Sequence, residues 1–143
     1  MEQLTAAAVI SFSERLQEVS ARFYQDLAAA YPPHRAAAAD YATRCERDKT
    51  QIVRTYRETV TDALETGYSF AGLTLPAGLL EASVPAGDWE AARERAAALE
   101  EGAAAFYEEV ATRSAALLAT IPRAFRRVAE RRARQAAAWR EMA

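Results

Sequence analysis

This sequence predicts an all-α fold, an antiparallel four-helix bundle made of two helical hairpins and a long crossover. Three observations predict it. Half of the 143 residues are hydrophobic, many of them alanine, and only five are glycine and five proline. That mixture favours helices over a β-rich or disordered chain. Apolar residues recur at bundle spacing in four separate blocks. Between the blocks stand two short turns and one long connection, and short turns force antiparallel neighbours.

Taken in order, Thr5 is placed to cap a first helix over about 5–31, which Pro32-Pro33 ends because proline lacks a backbone donor. Its stripe is Val9, Phe12, Leu16, Val19, Phe23 and Leu27. A second helix is expected over 33–66, with Ala38, Tyr41, Cys45, Ile52, Tyr56 and Ala63 on one face, stopping at Gly67. The connection 67–87 carries Tyr68, Phe70, Leu73, Leu75, Leu79 and Leu80. This much apolar surface either covers the bundle or forms a homodimer interface. Asp88 is an N-cap for a third helix over 88–118, striped by Leu99, Ala103, Phe106, Val110 and Leu117. Pro122 suits the first turn of a fourth helix over 121–142, striped by Phe125, Val128, Ala129, Ala136 and Trp139.

Bulk properties exclude several classes. Net charge is −2 and gives no global pull toward nucleic acid or an anionic membrane. No apolar run approaches the roughly 18 residues of a membrane span. The start, MEQLTAAAVISFSERLQ, lacks the basic segment and cleavage pattern of a signal peptide. One cysteine, Cys45, cannot build an intrachain disulfide, so a reducing cytoplasm is the expected compartment.

The two hairpins resemble each other. SARFYQDLAAAYP in the first matches AAAFYEEVATRSA in the second. Further on, YATRCERDK matches FRRVAERRA, setting Tyr41 on Phe125 and Glu46 on Glu130. These paired landmarks suggest a duplicated hairpin.

The FY-bearing first helix, the glutamate of the second helix and the crossover together resemble the rubrerythrin branch of the ferritin-like superfamily, over nearly the whole chain. The resemblance implies a dimetal site of iron or manganese, with one Glu from helices 1 and 3 and Glu-x-x-His from helices 2 and 4. Carried onto this chain, the six ligand positions become Gln17, Glu46, Lys49, Glu100, Glu130 and Ala133. Three carboxylates remain, Glu46, Glu100 and Glu130, and they are the metal ligands if the site is retained. Both histidines are gone, at Lys49 and Ala133. The one histidine, His34, falls in the first turn at an end of the bundle.

Lys49, the one lysine beside seventeen arginines, falls with Asp48 inside the apolar stripe of helix 2, and Arg132 inside that of helix 4. A protonated lysine cannot ligate a metal. One reading is a buried network of Asp48, Lys49, Arg132 and Glu100 that neutralises the carboxylates in place of metal. Another is that both cations snorkel to solvent; a functional amine at Lys49 is a third. Tyr24, Tyr41, Tyr56 and Tyr107 lie on or beside the inner stripes, where rings pack and hydroxyls seek partners. Cys45 reads as a small buried hydrophobe. Helix 4 from Pro122 has seven arginines against two glutamates, and helix 3 has seven acids against three arginines, so their charges complement each other and nucleic-acid binding is not favoured.

Besides a binding protein that uses the basic helix 4, the least favoured reading, two functions follow. One is a non-catalytic bundle, a scaffold or interaction module with a protein partner or a second copy of itself and no cofactor. The other is a divergent dimetal carboxylate protein that uses iron or manganese and acts on iron, oxygen or peroxide.

Overall fold

The computed structural model describes residues 5–59, 73–114 and 120–142. Among them are four helices and no strand: α1 Ala6–Ala30, α2 Arg35–Thr59, α3 Trp89–Arg113 and α4 Thr120–Glu141. Expected stretches 60–66 and 115–118 lie outside the described residues. At 25 residues each, α1, α2 and α3 are about 38 Å long.

Local chemistry sets the ends. The Thr5 hydroxyl accepts from the Ala8 amide at 3.1 Å, satisfying a donor that the first turn of α1 leaves unpaired. Pro32 and Pro33 open a short 3₁₀ turn, Pro32–His34, that reverses the chain into α2. At the start of α3, the Asp88 carboxylate accepts from the Ala91 amide at 3.1 Å. Gly87 before it has φ +69°, a left-handed conformation that a side chain disfavours.

Contacts between helices define the topology. Tyr24 meets Tyr41, and Glu18 meets Lys49, so α1 and α2 are antiparallel. Glu100 meets Arg132 while Glu108 meets Arg126, so α3 and α4 are as well. Across the hairpins, Gln17 pairs with Tyr107 and Tyr24 with Glu100; Tyr41 meets Trp139 and Asp48 meets Arg131. Both cross-hairpin pairs therefore run antiparallel too. The diagonal pair, α1 with α4, runs parallel: Gln17 reaches Arg132, and Tyr24 reaches Trp139. Only a connection running the length of the bundle produces this pattern.

The described part of that connection lies over α1 and α3. Leu73 is buried, and Leu75, Leu79, Leu80 and Val84 pack partly buried against the core. A 3₁₀ turn, Ala77–Glu81, sets Leu79 onto Gly102 of α3. A Cβ built at Gly102 would stand 2.5 Å from the Leu79 methyl, so the missing side chain makes the seat. Tyr68 and Phe70 lie outside the described residues. Among the described residues, no helix is long and apolar enough to cross a membrane.

Aromatic rings close both ends of the core. At one, Phe12 and Phe106 meet edge-on at 5.0 Å, beside Tyr107 and Phe125. At the other, Tyr24 stacks on Trp139 at 5.8 Å and on Tyr41 at 5.3 Å. Trp89 carries that stack to the bundle end, where His34 lies flat on it at 3.5 Å. His34 thus sits in the turn, as the sequence suggests. Tyr31 ties this end together: its hydroxyl donates to the Pro85 carbonyl and accepts from the Asp88 amide. Between the aromatic layers lies a polar one.

Candidate functional site: a buried arginine in a polar layer

The polar layer is made by residues that helical periodicity turns inward. On α1, Ser13, Gln17 and Ser20 follow one another by four and three residues, and all three are fully buried. Glu100 of α3 and Arg132 of α4 are likewise 0% exposed, and Gln135 and Asp48 are buried at 5% each.

Arg132 is the hub. One terminal nitrogen donates to Glu100 Oε1 at 2.9 Å, the other to Gln17 Oε1 at 2.9 Å and to Ser20 Oγ at 3.0 Å. Glu100 is satisfied from several sides, since its Oε1 also accepts from the Tyr24 hydroxyl and its Oε2 from Gln135 Nε2 at 2.9 Å. Gln17 relays the network: its amide nitrogen donates to the Tyr107 hydroxyl at 2.7 Å, which pairs with Ser13 Oγ at 2.7 Å. Of the guanidinium's nitrogens, Nε alone is buried without a partner.

Electrostatics locks the charges. Burial works most strongly against the Arg132 charge, but Glu100 together with Cys45, Tyr107 and Tyr24 outweighs it and holds the guanidinium's pKa above its ordinary value. Burial, reinforced by the Glu100 charge, raises the Tyr24 hydroxyl well above 10.0. Burial pushes Tyr107 up to about 12, against a lowering pull from Arg132. The Cys45 thiol is likewise pushed up to about 12 by burial. A thiol held neutral in this way is not a nucleophile. The layer keeps one cation permanently charged and its phenols and thiol protonated.

Several sequence expectations are corrected here. Lys49 stands outside the network; it is partly exposed, its amine 3.0 Å from Glu18 on the surface, and that hydrogen bond raises its pKa. Asp48 is buried but does not pair with Lys49 or Arg132. It accepts two hydrogen bonds from Arg131, at 2.6 and 3.1 Å, and Arg131 also reaches Gln51. Glu46, Glu130 and Ala133 are exposed, so Glu46, Glu100 and Glu130 do not converge. The inward positions are one residue earlier than the resemblance selects: Cys45 and Asp48 on α2, Ala129 and Arg132 on α4. One residue is about 100° of helix rotation, enough to carry a side chain from core to solvent. Arg132 and Glu100 are the two expected network members that meet. Ser13, Ser20 and Gln135 were missed; the available signal was polar side chains at three- and four-residue spacing within apolar stripes.

The ligand set implied by the resemblance does not fit this interior. A guanidinium, held by Glu100, Gln17 and Ser20, occupies the space between the helices and would repel a dication. Among the described residues, no group of three or more His, Cys, Asp or Glu is placed to hold a metal ion.

The hairpins mirror each other across the layer. Tyr24 of α1 bonds Glu100 of α3, and Tyr107 of α3 bonds Gln17 of α1; each tyrosine lies seven residues after the polar residue of its own helix. Tyr41 packs on Tyr24 as Phe125 does on Tyr107. These reciprocal pairs superpose the hairpins in the register FYQDL on FYEEV. With Tyr41 set on Phe125, a register one residue longer, Asp48 corresponds to Arg132, opposite charges at equivalent positions.

Comparisons with protein-family profiles, curated proteins and solved structures return no match for this chain.

Proposed function

We propose that this chain is a non-catalytic bundle of the ferritin-like type, in which an arginine-centred ion-pair network stands where the metal centre of that superfamily would lie. It serves as a scaffold or interaction module and uses no cofactor. The crossover topology and the reciprocal tyrosine pairs support the fold assignment. One observation carries the functional reading: Arg132 is fully buried, and its charge is neutralised by Glu100 from within the chain. A buried carboxylate without a counter-charge is costly, and a metal normally supplies one; here the guanidinium does. The protonated thiol and phenols offer no group poised for acid–base chemistry near neutral pH. A buried, unreactive Cys45 also suits a reducing cytoplasm.

Elemental analysis tests this. Untagged protein is grown with added iron and manganese, purified without chelator, and titrated with each ion by calorimetry. The expected result is substoichiometric metal and no saturable binding. Two ions bound per chain would overturn the proposal in favour of a divergent dimetal protein acting on iron, oxygen or peroxide.

A further inference from the structure

Among the described residues, one long groove of the bundle is covered by the chain itself, and its counterpart is not. The described crossover lies on α1 and α3, with Leu79 seated on Gly102. On the α2–α4 side is an open groove of about 650 Å³, within the range of small-ligand sites. Arg44 and Arg47 rise from α2 and Arg131 and Arg134 from α4, above a floor of Asp48 and Gln135.

Among the described residues, the charge of this groove is not cancelled internally. Asp48 engages Arg131, and Asp40 engages Arg44 at 2.7 Å. Arg47 and Arg134, both exposed, have no carboxylate partner among the described residues. Four guanidinium charges against these two carboxylates leave two positive charges facing one another across the groove. Two other arginines of α4 behave differently, since Arg126 and Arg140 pair with Glu108, Glu94 and Glu101 of α3. The charge complementarity of α3 and α4 therefore accounts for one face of α4 and not for the face turned to α2.

We propose that the α2–α4 groove binds a phosphate-bearing ligand, a phosphomonoester or diphosphate group carrying about two negative charges. Arginine forks bind phosphate oxygens in pairs, and a tetrahedral phosphate accepts from forks that converge from two helices. A single carboxylate offers one charge and two oxygens and would leave the groove half neutralised. Arg47 and Arg134 supply the free forks. Arg131, anchored on Asp48 and Gln51, supplies a preset one. Gln135 links the floor to the buried layer, since its amide nitrogen is held by Glu100. The inference concerns a different surface from the polar layer and stands whether or not the bundle holds metal.

The test is calorimetric titration of the full chain with inorganic pyrophosphate at about 0.15 M salt, where weak surface attraction is screened. The expected result is saturable one-to-one binding that weakens at least tenfold in Arg47→Gln/Arg134→Gln and is unchanged in Arg22→Gln on α1. Both groove residues are exposed, so circular dichroism should show the double variant folded; the two single variants, each weakening binding in part, serve if it is not. Sedimentation with phosphatidic acid vesicles separates the sources. Capture that pyrophosphate reverses assigns the phosphate to a lipid headgroup, and pyrophosphate binding without capture assigns it to a soluble ligand. No saturable pyrophosphate binding at millimolar concentration, or equal binding by wild type and double variant, would overturn the proposal.

Discussion

Arg132 and Lys49 are both cations on apolar stripes, yet their energetic roles differ because only one is removed from water. Lys49 meets Glu18 with both side chains partly exposed, at 29% and 51%, and such pairs contribute less than about 1 kcal/mol. Arg132 and Glu100 are fully buried, and deleting one partner strands the other charge. Arg132→Met should therefore destabilise the protein by about 3–5 kcal/mol. Lys49→Met should cost under about 1 kcal/mol. Urea unfolding of the two variants checks both. Equal losses would mean that the buried pair adds nothing specific. Restoring neutrality with Arg132→Met/Glu100→Gln should recover part of the loss, because the uncompensated charge is then removed.

At the scale of elements, the crossover is held by shape as much as by burial. Leu79 fits over Gly102, and the Arg95 guanidinium donates to the Ser83 carbonyl at 3.2 Å. Gly102→Ala sets two small effects against each other: alanine favours helix by about 1 kcal/mol, while its Cβ displaces the flexible end of Leu79. The net change should be small. Gly102→Leu cannot be accommodated that way and should lift the 3₁₀ turn Ala77–Glu81 off α3 while the helices persist. Hydrogen exchange would show faster exchange across residues 77–84 with the protection of α1 and α3 retained. Unchanged exchange in that turn would show that the crossover docks by other contacts. The seat on Gly102 also bears on assembly. The described apolar side chains of the crossover pack against its own bundle, and the groove left open is charged.

The whole molecule carries its polar layer as a stability term that depends on pH. Cys45 rises from its ordinary 9.0 to about 12, and Tyr107 from 10.0 to about 12; Tyr24 is raised as well. In each case the unfolded chain releases its proton first while the folded chain retains it. The stabilisation is therefore complete below about pH 9 and is lost as pH climbs toward about 12. Each group contributes a slope of up to about 1.4 kcal/mol per pH unit within its window. Urea midpoints measured from pH 8 upward should fall steadily above pH 9, and Cys45→Ala should flatten the first part of that fall. A flat profile would mean that these groups titrate as freely in the folded protein as in the unfolded chain.

Periodicity, proline placement and capping residues were enough to establish from the sequence alone an all-α fold with the four helices seen among the described residues, because those signals act within a few residues of where they stand. The same signals placed Arg132 and Asp48 on inner stripes. Tertiary structure decided the rest. A stripe specifies a face to within about one residue step, and one step separates Cys45 from Glu46 and Ala129 from Glu130, so which carboxylates faced inward depended on how four helices packed. Pairing is likewise non-local: Arg132 finds Glu100 32 residues away and Gln17 115 away, and no spacing along the chain encodes those distances. The open basic groove has the same origin, since the described part of the crossover lies on the opposite side of the bundle.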